Sequence, residues 1–224
     1  MSQPNQAVIR TPAGALETNQ VIRNTYALLS MTLLFSAAMA GMSMTLNLPH
    51  PGILVTLIGY FGLLFLTTKL RNSVWGIASV FALTGFMGLT LGPILNAYIG
   101  HYANGTQLVM TALGGTGATF VGLSLYALTS RKDFSYLGGM LGAGILVAFL
   151  AGVAALFLPD MPGLAIAASA MFVVLMAGLI LFETSNIIHG GETNYIMATV
   201  SLYVSIYNLF TSLLHLLGVF SGDE

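Results

Sequence analysis

The chain has 224 residues, no cysteine, six Lys+Arg and seven Asp+Glu; 56% of its residues are apolar, and its mean hydropathy is +0.89. A soluble domain carries about 25% charged residues and this one carries 6%, too few to cover a surface that faces water. The composition excludes a disordered chain, a nucleic-acid binder with a basic patch and a disulfide-stapled secreted domain, and makes the bilayer the first partner.

A helix needs about 20 mostly apolar residues to cross the hydrocarbon core. Residues 1–24 are polar, contain Pro4 and Pro12, and read as a flexible cytosolic tail ahead of a permanent anchor. Apolar runs then follow at 26–48, ended by Asn47, Pro49, His50 and Pro51, and at 52–68, ended by Lys69, Arg71 and Asn72. The third covers 74–99 and the fourth 107–129, which stops at Arg131-Lys-Asp133. The fifth covers 134–158, the sixth 163–188, and the seventh and most polar 195–220. Continuous Leu, Ile, Val, Phe, Ala and Met favour helices over the alternating segments of a barrel. The expectation is an all-α integral membrane protein: a seven-helix bundle over 25–220 and a short acidic end at 221–224. Short connections predict sequential helices as antiparallel neighbours.

The cations are Arg10, Arg23, Lys69, Arg71, Arg131 and Lys132. With seven spans they fall in the N-terminal segment, the 2–3 loop and the 4–5 loop, all on one side. Positive loops stay cytoplasmic, which places the N-terminus inside and, with seven spans, Asp223-Glu224 outside; a six-span alternative, with the seventh segment interfacial or re-entrant, would put the C-terminus inside, and no cation follows Lys132 to decide between them.

The 26 glycines predict close helix packing, notably Gly88-xxx-Gly92 on the third span, Gly138-xxx-Gly142 on the fifth, and Gly114, Gly115, Gly117 and Gly122 on the fourth. The run Gly114-Gly-Thr-Gly117 lies inside a lipid-length segment with no basic residue after it, so it is not a phosphate loop. Pro93 predicts a kink in the third span.

One charge lies well inside a span. Glu183 is six residues from His189, about 9 Å below the helix end at 1.5 Å per residue. Asn186 shares its face. A carboxylate facing lipid is costly, so Glu183 is expected to face the bundle interior, water or a cation, with Lys69 and Arg71 as candidate counter-ions. On the seventh segment Asn194, Ser201, Ser205, Asn208, Ser212 and His215 fall in one stripe. Such a stripe predicts a central helix surrounded by the other six, its polar groups serving either as interhelical glue or as an ion path. Glu183, Asn186, Ser205 and Asn208 are the ion- or proton-sensing candidates. The sequence contains no HExxH motif, no cysteine nucleophile and no recognisable metal cluster, so neither catalysis nor a cofactor is expected.

The stretch Leu181-Phe-Glu-Thr-Ser-Asn-Ile-Ile-His-Gly-Gly-Glu-Thr-Asn-Tyr-Ile196, with Ser201-Leu-Tyr-Val-Ser-Ile-Tyr-Asn-Leu-Phe210, resembles the C-terminal signature of the Bax inhibitor-1 family. Arg23-Asn-Thr-Tyr26, Leu91-Gly-Pro-Ile-Leu-Asn96, Thr129-Ser-Arg-Lys-Asp133 and Leu137-Gly-Gly-Met140 are similar to the bacterial YccA-like branch. The resemblance implies a seven-helix fold with the last helix central. It also implies an inner-membrane protein that binds and modulates an FtsH-type ATP-dependent protease, and is its substrate through the N-terminal tail. Calcium-leak members carry two acids whose protonation gates a pore. Glu183 matches the first and Ser205 stands at the second, so a Ca2+ or H+ pathway gated by Glu183 is the alternative.

Overall fold

The computed structural model describes residues 12–158 and 160–222. The main helices are α1 (Pro12–Thr45), α2 (Ile53–Leu70), α3 (Trp75–His101), α4 (Gly105–Ser130), α5 (Gly138–Phe157), α6 (Pro162–His189) and α7 (Tyr195–Ser221), with a 3-10 turn over Ser135–Leu137 leading into α5. All seven are long and apolar enough to cross a membrane, and no strand occurs among the described residues.

Boundaries fall where backbone chemistry ends a helix. Asn47 takes a positive φ of 47° after α1, ahead of Pro49 and Pro51. Gly190 ends α6 at φ 77°, the left-handed cap that glycine adopts without a Cβ clash, and its N–H returns to the carbonyls of Asn186 and Ile187. Asn194 caps α7, its Oδ1 accepting the N–H groups of Ile196 and Met197, each at 3.1 Å.

The N-terminal boundary differs from expectation. α1 begins at Pro12, so the tail expected over 1–24 is helical from that point on, while residues 1–11 lie outside the described residues. Ala, Leu, Glu, Gln and Arg in this stretch are good helix formers, and Val21 and Ile22 pack against the main core.

α7 is central, although its surroundings are narrower than expected. It packs on α6, α4, α1 and α3, whereas α2 packs on α3 and α5 on α6. Only Thr67 is buried in α2, and only Leu141 and Ala148 in α5. Two sequential pairs depart from the neighbour rule: α1 lies on α3 and not α2, and α4 lies on α7, α6 and α3 and not α5.

Glycines explain the first departure. A Cβ at Gly85 would meet the Phe35 ring at 2.7 Å, one at Gly88 would strike the Ser36 carbonyl, and one at Gly92 would meet Ser43 and the Ala40 carbonyl. This face of α3 admits the α1 backbone to a distance that any side chain would prevent. The α4 glycines behave differently. A Cβ at Gly114, Gly117 or Gly122 would have nothing within 4 Å, and all three are exposed, so the packing expected of them is absent. Gly142 on α5 is likewise open, whereas Gly138 lies against Phe182.

Pro93 sits inside a continuous α3. Lacking an N–H, it frees the carbonyl of Leu89 one turn back. Ser43 of α1 donates its hydroxyl to that carbonyl at 2.8 Å, and the absent side chain at Gly92 makes room for the serine.

Candidate functional site

Glu183 lies on α6, half-buried, beside the buried Thr184 and Ser185. Ser201, six residues into α7 as Glu183 is six from the end of α6, faces it closely enough for their side chains to interact. The charged neighbour that acts on Glu183 is Glu192 in the α6–α7 turn. Lys69 and Arg71, the expected counter-ions, are not among the groups that act on Glu183. Lys69 Nζ stands 5.0 Å over the Phe65 ring, and exposed Arg71 offers its carbonyl to the Asn194 amide at 3.1 Å.

The other sequence candidates do not converge on Glu183. Asn186 serves the turn, its carbonyl accepting the N–H of Gly191 at 2.9 Å. The Ser205 hydroxyl donates to Ser201's carbonyl on its own helix at 2.8 Å, and the Asn208 amide does the same to Val204 at 2.8 Å. Of the α7 stripe, Asn194 and His215 bond across to other elements, as Ser201 does to Glu183. Asn194 reaches Arg71 and, at 2.9 Å, the Asn72 side chain, and His215 Nδ1 lies 2.8 Å from Ser169 Oγ on α6.

Several buried bonds escaped the sequence reading because hydroxyls on apolar runs have no periodic signal. Tyr203 links three helices: its hydroxyl is 2.6 Å from Ser36 Oγ of α1 and 3.3 Å from the Thr84 carbonyl of α3. Tyr26 meets Thr184 at 3.2 Å, tying α1 to α6 beside Glu183.

The turn between α6 and α7 gathers the basic loops. Asn194 holds the 71–72 segment as described. Ser185 donates to the Lys132 carbonyl at 3.1 Å and accepts the Phe134 N–H at 3.0 Å. With Thr199 bonded to the Thr25 carbonyl at 3.3 Å, the start of the first span and both basic loops stand at one end of the bundle. In the second loop the Ser135 backbone N–H, 2.8 Å from Asp133 Oδ1, together with the Ser135 hydroxyl and the nearby His189, holds the Asp133 carboxyl below the usual carboxylate range.

Two cavities flank α7. One, of about 440 Å³, lies between α1 and α4, with Tyr203, Tyr207 and Phe210 as its floor. The other, of about 530 Å³, lies between α2 and α5, walled by Tyr60, Phe61, Phe149, Phe172 and Asn208. Both are almost wholly apolar. No group of three or more His, Cys, Asp or Glu that could hold a metal occurs among the described residues. A carboxylate facing a serine can exchange a proton.

Fold and site together define a polytopic helical membrane protein organised around its last helix. A family model described as Inhibitor of apoptosis-promoting Bax1 matches residues 18–222, and the chain belongs to that family. It is 57% identical over 208 residues to the Modulator of FtsH protease YccA of Escherichia coli strain K12, covering 93% of this chain and 94% of that protein. The Inner membrane protein YccA of Escherichia coli O6:H1 matches to the same extent. An uncharacterized protein of Pseudomonas aeruginosa is 54% identical over 208 residues, 93% of each chain.

Proposed function

We propose that this chain is a bacterial inner-membrane protein that binds an FtsH-type ATP-dependent protease and restrains its action on other membrane proteins. The observation that carries this reading is the 57% identity, along nearly the whole of both chains, to a protein named as a modulator of that protease. The fold suits the role. Four helices wrap α7, α1 and α3 are joined at backbone distance by glycines, and all three turns at the basic end are cross-bonded. A protease that pulls from the cytosol meets a bundle that resists extraction.

We place the basic end in the cytoplasm, because Arg23, Lys69, Arg71, Arg131 and Lys132 share it and positive loops remain inside. The N-terminal segment is then the handle for the protease, which makes the chain its substrate as well as its regulator. No enzymatic chemistry is invoked. At the second acid position of the calcium-leak alternative, Ser205 is buried with its hydroxyl turned to its own helix.

The test removes residues 1–11, which precede α1. Full-length chain is expected to co-purify with the protease and to turn over several-fold faster in cells that contain it. The shortened chain should remain bound in the membrane and be long-lived in both backgrounds. Equal turnover of the two forms would defeat the handle, and absence of co-purification would defeat the proposal itself.

A further inference from the structure

His189 closes α6 with both ring nitrogens against backbone carbonyl oxygens. Nδ1 lies 2.8 Å from the carbonyl oxygen of Ser185, one turn back. Nε2 lies 3.2 Å from that of Arg131, the residue that ends α4 in the left-handed region at φ 50°. The Ser185 hydroxyl, 3.3 Å from Nδ1, does not alter the count, since its hydrogen goes to the Lys132 carbonyl. Carbonyl oxygens only accept. A neutral imidazole carries one N–H and one lone pair, whereas the imidazolium carries two N–H groups. A neutral ring therefore leaves one carbonyl facing a lone pair.

We propose that His189 is a proton-operated latch, which when doubly protonated clamps the loop from Arg131 to Phe134 onto the end of α6 and when neutral keeps its one proton on Nδ1, toward the nearer Ser185 carbonyl, and turns the Nε2 lone pair to the Arg131 carbonyl, releasing it. Among the described residues, the loop's other hydrogen bonds to α6 come from Ser185, through Lys132 and Phe134. Release loosens the segment that carries the exposed Arg131 and Lys132 and leaves Phe134 buried.

The surroundings of the ring contain charges of both signs. The loop presents Arg131 and Lys132, which oppose a second proton, and Asp133, whose charge couples to His189 and favours it. The α6–α7 turn contributes Glu192, and Glu183 lies deeper on α6 itself. The open carbonyls of the last turn of α6 also favour a cation. The adjoining 3-10 turn carries Tyr136 and the start of α7 carries Tyr195. Asp133, held below the usual carboxylate range, keeps its charge between about pH 5.5 and about pH 8.

The test uses the full chain in lipid nanodiscs. Hydrogen exchange over the 131–137 segment, corrected for intrinsic rates, is followed from about pH 5.5 to about pH 8, alongside the ¹⁵N shifts of the His189 ring. The expected result is a loop about tenfold more protected at the acid end, as for loss of one charge-assisted bond, changing in step with conversion of the ring to the doubly protonated form. His189→Gln should give protection that no longer varies with pH. A wild-type loop indifferent to pH, a variant that keeps the wild-type dependence, or a ring that stays neutral at the acid end would each overturn the proposal.

Discussion

Ser43 shows how a proline is carried inside a lipid-embedded helix. The carbonyl that Pro93 leaves without a partner is met by a hydroxyl from the neighbouring helix at 2.8 Å, and in hydrocarbon no water could replace it. Ser43→Ala should cost about 1–3 kcal/mol, the penalty for an unsatisfied buried acceptor. Combining it with Pro93→Ala, which restores an N–H to the turn, should recover part of that loss. Unfolding titrations of the single and double variants in mixed micelles measure the coupling, and strict additivity would show that the bond carries no weight. Pro93 was legible from sequence; its partner, 50 positions earlier, was not, because a lone serine on an apolar run is as compatible with lipid as with a bond. The same holds at Glu183. Its depth was readable from residue count, but that Ser201 and Glu192 act on it was not, since which groups from α7 and the following turn come to face it depends on how the helices pack.

Elements were legible to the extent that their length and polarity were distinctive. All seven spans were predicted, and the Gly88-xxx-Gly92 face does bring α1 and α3 together. Gly114, Gly117 and Gly122 of α4 cluster as densely yet face open space, because a run of small residues permits close approach without stating which helix will make it. The two sets should respond oppositely to a methyl group. Gly88→Ala places a Cβ against the Ser36 carbonyl and should destabilise by about 1–3 kcal/mol, as overpacking does. Gly114→Ala meets nothing and should be neutral or stabilising by up to about 1 kcal/mol. The same titrations decide this, and equal losses at both positions would contradict the packing described. α1 teaches a related lesson. Polar residues ahead of a span looked like a tail, whereas Val21 and Ile22 pack on the core and the helix runs back to Pro12.

At the scale of the whole molecule, composition alone made the bilayer the solvent, and the polar stripe on the last segment pointed to the central position that α7 occupies. The stripe did not reveal that α2 and α5 stay outside the inner ring, a matter of which faces of α3 and α6 remain free once α1 and α7 have taken theirs. Nor could sequence show that the end of α6 and the cap of α7 tie down the two basic loops. In the proposed orientation, with the basic end in the cytoplasm, that cross-bonded end is the surface a cytosolic machine would meet first, and it underlies the proposed restraint of the protease. The most direct measurement reconstitutes the chain with an FtsH-type protease and a membrane-protein client in proteoliposomes and follows loss of the client. Degradation should slow several-fold as the chain is added in molar excess, while an unrelated polytopic protein at the same density leaves the rate alone. A rate that the chain leaves unchanged, or changes no more than the unrelated protein does, would contradict it.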